Sequence, residues 1–240
     1  MGMQRVGREL RDRRAIRFLP ITVATIIGAA ALATAAAYAE APSTELFWGD
    51  THVHSAYSLD ANLFNNATLG PDVAYRFARG EAIRMPGGAV AKLDRPLDFL
   101  VVSDHAEYLG LFSMIRKDHP LVAGTDTARK IRKLMDENPV FGPEDITALN
   151  AVLANDTLGA DPELRRVVWH DVVDIAERFD EPGRFSAIVG YEWGSTPGGN
   201  NLHRNVLFRD GPERTKQIVP FSAMHSNDPE DLWVFLAQYE

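Results

Sequence analysis

The chain has 240 residues, 25 of them basic and 33 acidic, for a formal charge of −8. It has no cysteine, which excludes disulfides and thiolate metal sites and leaves export into an oxidising compartment free of thiol risk. Six of the 25 basic and two of the 33 acidic residues precede Glu40, so the remainder carries 19 against 31, a formal charge of −12 that argues against nucleic acid as a partner.

Met1 to Arg17 holds those six arginines, and Phe18 to Ala37 is almost wholly apolar. Ala37-Tyr38-Ala39 fits the small-x-small cleavage rule, which predicts a signal peptide over residues 1–39 and a mature start near Glu40. The apolar run is also long enough to span a bilayer, so an uncleaved anchor is the alternative. Either way the rest is expected outside the cytoplasm, periplasmic or secreted, touching membrane only through this segment. Residues 40–240 suit one domain with its own core.

Phe47-Trp48-Gly49-Asp50-Thr51-His52-Val53-His54-Ser55 comes next, with Asp60 close behind. On a strand, residues i and i+2 share a face, so His52 and His54, with Asp50, are expected to project together from one strand end. Imidazoles and carboxylates in that arrangement suit zinc, iron or manganese. Two partly buried histidines beside a turn are the plainer reading of this stretch alone.

Residues 61–70 read as a loop, Pro71 to Gly80 as a helix with proline first and glycine last, and Arg84 to Gly88 as a loop. Asp98 to His105 is an apolar run that ends in Asp104-His105, so strand, helix and strand alternate in a β/α layout. Residues 106–181 read as a helical insertion. Helices are expected over Thr125 to Asn138, from Gly142-Pro143 and from Asp161-Pro162, the last with Val168, Val172, Ile175 and Phe179 as a core stripe. His170 and Asp174 read as a solvent-facing pair, and His119 as a loop residue. Ser186 to Glu192 is a second apolar run, ending in Gly190-Tyr191-Glu192. A glycine-rich loop over Gly194 to Asn201 is ordinary turn chemistry or an anion cradle. Leu202 to Phe208 reads as a strand, and Asp228-Pro229-Glu230 starts a last helix.

Three apolar strands therefore finish in His, Asp or Glu. In barrels of parallel strands the reactive groups gather at the C-terminal strand ends, which turns the three endings into one expected metal site.

The ordered set His52-Val53-His54, Ser58, Asp60, Ser103-Asp104-His105, Gly190-Tyr191-Glu192 and His203 resembles the motifs of the PHP (polymerase and histidinol phosphatase) superfamily. The wording around Phe47 to Ser55, Gly190 to Trp193 and Asn201 to Asn205 resembles one uncharacterised bacterial branch, called domain of unknown function 3604. The resemblance runs from about Glu45 to the end and implies a PHP-like distorted β/α barrel. It also implies two or three divalent metal ions, zinc, manganese or iron, at the strand ends, and often hydrolysis of phosphoesters. On this resemblance His52, His54, Asp60, His105, Glu192 and His203 are expected ligands. Asp104 and Asp50 are expected to orient ligating histidines, and Arg204 either to contact a substrate phosphate or to make a plain surface ion pair. The family pattern continues past Glu240 with further ligands, so the chain is expected to be the N-terminal part of the barrel.

The leading expectation is a metal-dependent phosphoesterase acting on a small phosphorylated molecule. The rivals are an amidohydrolase-type barrel, which also opens with His-x-His, and a non-catalytic extracytoplasmic metal-binding module.

Overall fold

A computed structural model of the chain describes residues 44–154 and 156–240. The expected signal peptide or anchor over 1–39 lies outside these residues. Among the described residues no helix is long and apolar enough to cross a membrane.

Residues 47–240 form one unit built on a curled, four-stranded half-barrel sheet. Its strands are β1 (Gly49–Val53), β4 (Phe99–Val102), β5 (Ser186–Trp193) and β6 (Arg204–Leu207), in the spatial order β1-β4-β5-β6. β1 and β4 run parallel, as do β4 and β5. Each of these connections contains helices, as a parallel crossover requires. β5 and β6 run antiparallel. Only the loop from Gly194 to His203 joins them, too short for a crossover helix. The uniform β/α alternation expected from sequence therefore ends at this last pair. A separate two-stranded hairpin pairs β2 (Ile83–Arg84) with β3 (Val90–Ala91) on either side of the loop expected from Arg84 to Gly88.

The helices follow their capping residues. α1 (Leu59–Leu63) is a short helix that runs into the start of the stretch expected to be loop. α2 (Pro71–Ala78) opens on proline, whose missing N–H costs nothing at a helix start. Between β4 and β5 come α3 (Leu111–Arg116), α4 (Asp126–Glu137), α5 (Pro143–Leu153) and α6 (Pro162–Phe179). Thr125 caps α4 by accepting from Ala128 N at 3.1 Å, and Asp161 caps α6 by accepting from Leu164 N at 2.9 Å. At the start of α5 the Asp145 carboxylate accepts from Gly142 N at 2.9 Å. α7 (Pro212–Thr215) and α8 (Pro229–Tyr239) follow β6.

α2 and α6 pack together, and α6 covers β5. Val168, Trp169, Val172, Val173, Ile175 and Ala176 of α6 are buried, so the expected stripe is the core side of the crossover helix. Trp169 is fully buried, lies edge-on to Tyr191 at 5.9 Å, and donates from its indole nitrogen to Thr215 O at 2.8 Å. Leu100, Val102, Tyr75, Phe112 and Ile115 continue this core behind the sheet. Each such side chain contributes roughly 1.5–3 kcal/mol by leaving water. The packed side thus holds the strands rigid, while their C-terminal ends open on the other side.

Candidate metal centre

Glu192 is the hub. Its side chain sits at the C-terminal end of β5, an interior strand of the sheet, and is fully buried. Burying a carboxylate is costly unless it is paired, and four histidines from the neighbouring strand ends surround it. Glu192 Oε2 lies 2.7 Å from His54 Nε2, 3.2 Å from His52 Nε2 and 3.5 Å from His105 Nε2. Glu192 Oε1 lies 2.8 Å from His203 Nδ1. The imidazole rings follow one another, with centroids 5.0 Å apart for His52 and His54, 4.9 Å for His54 and His105, and 5.0 Å for His105 and His203.

Asp60 closes the other side. The chain doubles back between His54 and Asp60, so that His54 Nδ1 reaches Asp60 Oδ2 at 2.8 Å. Local hydrogen bonds fix this turn. Ser58 Oγ donates to Asp60 Oδ1 at 2.6 Å and accepts from His105 N at 3.2 Å. The Asn62 amide donates to the carbonyls of Ala56 and Ser58 at 2.8 and 2.9 Å. Three overlapping groups able to hold a metal ion result: His52, His54 and Glu192; His54, Asp60 and His105; His105, Glu192 and His203. Within each group the donor atoms lie within 4.8 Å of one another. All six residues expected as ligands are thus brought together.

The electrostatics of the cluster are those of histidines and carboxylates that hold one another in their charged forms. Burial works to lower the His54 pKa, but the hydrogen bond to Asp60 and the nearby Glu192 carboxylate outweigh it and push it up to about 10. Burial likewise opposes the charged form of His105, yet Glu107, Glu192 and Asp60 raise its pKa. Glu192 is held at about 2: its own burial would raise it, and the close contact with His54 and the charges on His105, His54 and His52 prevail. Asp60 is pushed below the usual carboxylate range in the same way, chiefly by His54 and Ser58 against its burial.

The donor set fits a divalent cation. His54 Nε2 is buried and makes no well-formed hydrogen bond, although Glu192 Oε2 stands 2.7 Å away. Ligand atoms sharing an ion at ~2.0–2.2 Å necessarily crowd to about 3 Å from each other, and the N···O separations around Glu192 have that size. Nitrogen and oxygen donors with no thiolate suit zinc, manganese or iron.

Three further residues singled out in the sequence have other partners. Asp104 was expected to orient a histidine. Instead its buried carboxylate accepts from Ser55 N at 2.5 Å and Ser55 Oγ at 2.6 Å, anchoring the chain just after His54. Burial pushes Asp104 up to about 6, against those two hydrogen bonds. Asp50 is in none of the three donor groups. The β1 register slips against β4 between Asp50 and Val53, so simple alternation fails there, and the Asp50 carboxylate accepts from His52 N at 2.9 Å. Arg204 follows His203 directly in extended chain, so it points to the opposite face. It donates to His203 O at 2.7 Å and lines a separate cavity with Trp233 and Tyr239.

Two site residues went unread in the sequence. Glu107 lies 3.4 Å from His105 Nδ1 and accepts from Ala223 N at 2.6 Å. Its position two residues past His105 was the available signal. Asn205 stands opposite Glu192 in the β5–β6 register and donates from its amide to Thr51 O at 3.0 Å, linking the two sheet edges across the mouth. That carbonyl partner fixes the amide orientation, and Asn205 Oδ1 is left buried without a partner among the described residues. His170 contacts Lys216 O at 3.0 Å and His119 accepts from Leu121 N at 3.3 Å, both away from the six.

No curated protein and no solved structure matches this chain. The family described as protein of unknown function (DUF3604) matches residues 41–240, and the chain belongs to that family.

Proposed function

We propose that this protein is a metal-dependent hydrolase of the PHP type, acting on a small phosphoester. The observation that carries the reading is Glu192, a fully buried carboxylate with each oxygen facing imidazole donors from different strand ends. A carboxylate shared between overlapping donor groups is how a protein holds more than one ion at short range. His52, His54 and Glu192, His54, Asp60 and His105, and His105, Glu192 and His203 are the groups that would hold them. Divalent ions bound there would supply Lewis acidity and a lowered pKa for water.

The chain's own residues prepare the site. Ser58 and Asp60 fix the orientation of His54, and Glu107 does the same for His105. A cleft lined by Leu59, Leu63, His105, Gly194, Ser195, Thr196 and His203 opens directly beside the donors and is where a substrate would lie. His52 is half exposed, which leaves the mouth open to solvent on the β1 side. A barrel of PHP type, the identity of the ions, and export from the cytoplasm belong to the same proposal.

The test is purification without chelator, metal analysis, and turnover of a panel of phosphomonoesters, phosphodiesters, carboxylic esters and amides with each metal resupplied. Cleavage of a phosphoester that chelation abolishes is expected. Cleavage of amides alone would move the protein to an amidohydrolase reading. Bound metal without turnover of any substrate would leave a binding module.

A further inference from the structure

Away from the metal donors, a cavity of about 460 Å³ opens between α3 and α6, with Tyr57 as one wall. Its volume is in the range of small-molecule sites. Gly110, Met114, Val167 and Val168 make an apolar floor. The rim is ionic, and most of its charges are already engaged. Asp171 accepts from Tyr57 OH at 2.5 Å, Asp174 pairs with Lys216, and Arg166 pairs with Glu163 at 2.7 Å. His170 faces Lys216 O at 3.0 Å.

Two rim groups remain. Lys117 Nζ lies 5.6 Å from the centre of the Tyr57 ring and has no carboxylate partner among the described residues. His119 accepts from Leu121 N on its Nδ1, which puts the proton on Nε2 and makes that atom a donor. Asp118 between them takes a left-handed backbone, φ 50°, and its own carboxylate turns away to Arg132 at 2.6 Å. Lys117 and His119 therefore both line the cavity. What is unmatched at the rim is donor and positive, and what is unmatched at the floor is apolar.

We propose that this cavity is a binding site for a small organic anion, with its carboxylate or phosphate group on Lys117 and His119 and its aliphatic or aromatic body on the Met114 and Val168 floor against Tyr57. The site is separate from the metal donors but backs onto them, because Tyr57 sits in the turn between His54 and Asp60 and donates from its N–H to Ser55 Oγ at 3.1 Å.

The test is calorimetric titration of the purified chain with benzoate and with phenylphosphonate. Both probes carry the anionic head and the apolar body, and they differ in the head group. Wild type is expected to bind at least one, which identifies the preferred head. Lys117→Met keeps the stem and the fold but should weaken binding by about tenfold or more, the loss of a charge-assisted contact. His119→Ala should weaken it as well. His203→Ala, which disturbs only the metal donors, should leave binding unchanged. Two results overturn the proposal: neither probe binds wild type at millimolar concentration, or binding survives in both Lys117→Met and His119→Ala. Neither result bears on the metal reading.

Discussion

Glu192→Gln in metal-free protein is the most informative single perturbation. Glutamine keeps the volume and shape, so the change removes charge and little packing. Four imidazoles within 3.5 Å of the carboxylate would lose their common counter-ion, and His54, held protonated up to about 10, would be left with Asp60 alone. Removing one partner of a buried ion pair costs about 3–5 kcal/mol. For a domain of roughly 200 residues that corresponds to a fall in Tm of about 6–20 °C. The pH dependence gives the sign. His54 has a folded pKa raised from 6.5 to about 10, so its contribution is complete below 6.5 and disappears as pH rises through about 10. Glu192 is lowered from 4.5 to about 2, so its contribution is complete above 4.5 and disappears as pH falls through about 2. The gap between wild type and variant should therefore be widest between pH 4.5 and 6.5 and narrow on both sides. Thermal unfolding in chelator across that range measures it. Equal midpoints at pH 6, or a gap that widens toward pH 10, would refute the reasoning.

Gly190→Ala would set a Cβ 2.6 Å from Val101 Cγ1 and 2.9 Å from Val206 O. Overpacking of that kind should cost about 1–3 kcal/mol in a urea titration, and an unchanged midpoint would show that the strands give way freely. Asn205→Ala should weaken metal affinity by about 10-fold or more, as loss of a supporting contact around a metal site does, and Asn205→Asp should fare no better, because a carboxylate cannot donate to Thr51 O; equal affinities in a competition titration would exclude Asn205 from the site. With a formal charge of −12 after residue 39, the protein should give no mobility shift with DNA or RNA at physiological salt. A salt-sensitive shift at low micromolar protein would count against that.

Much of the site could be read in the sequence because strand chemistry is local. An apolar run ending in Asp104-His105 or in Glu192 states both the strand and the side chain at its end, and His52-Val53-His54 states a shared face. Helix starts at Thr125, Gly142, Asp161 and Asp228 were equally local, since capping needs only the neighbouring residues. What failed depended on partners distant in sequence. The slip of β1 against β4 between Asp50 and Val53 exists only once the strands pair. Asp104 was assigned to a histidine by motif, but its depth beneath Ser55 is a property of packing. Arg204 is a case of the opposite kind: its adjacency to His203 in extended chain already implies the other face. The antiparallel β6 follows from the loop before it, which is too short for a crossover helix.

The central claim is that His52, His54, Asp60, His105, Glu192 and His203 hold divalent metal. Elemental analysis of protein purified without chelator and resupplied in turn with zinc, manganese and iron tests it directly, using wild type, the double variant His52→Ala with His54→Ala, and His170→Ala. The account predicts bound metal in wild type, its loss in the double variant, and no change in His170→Ala, whose ring faces Lys216 rather than the donors. Metal-free wild type under every condition, or a double variant that retains wild-type metal, would contradict it.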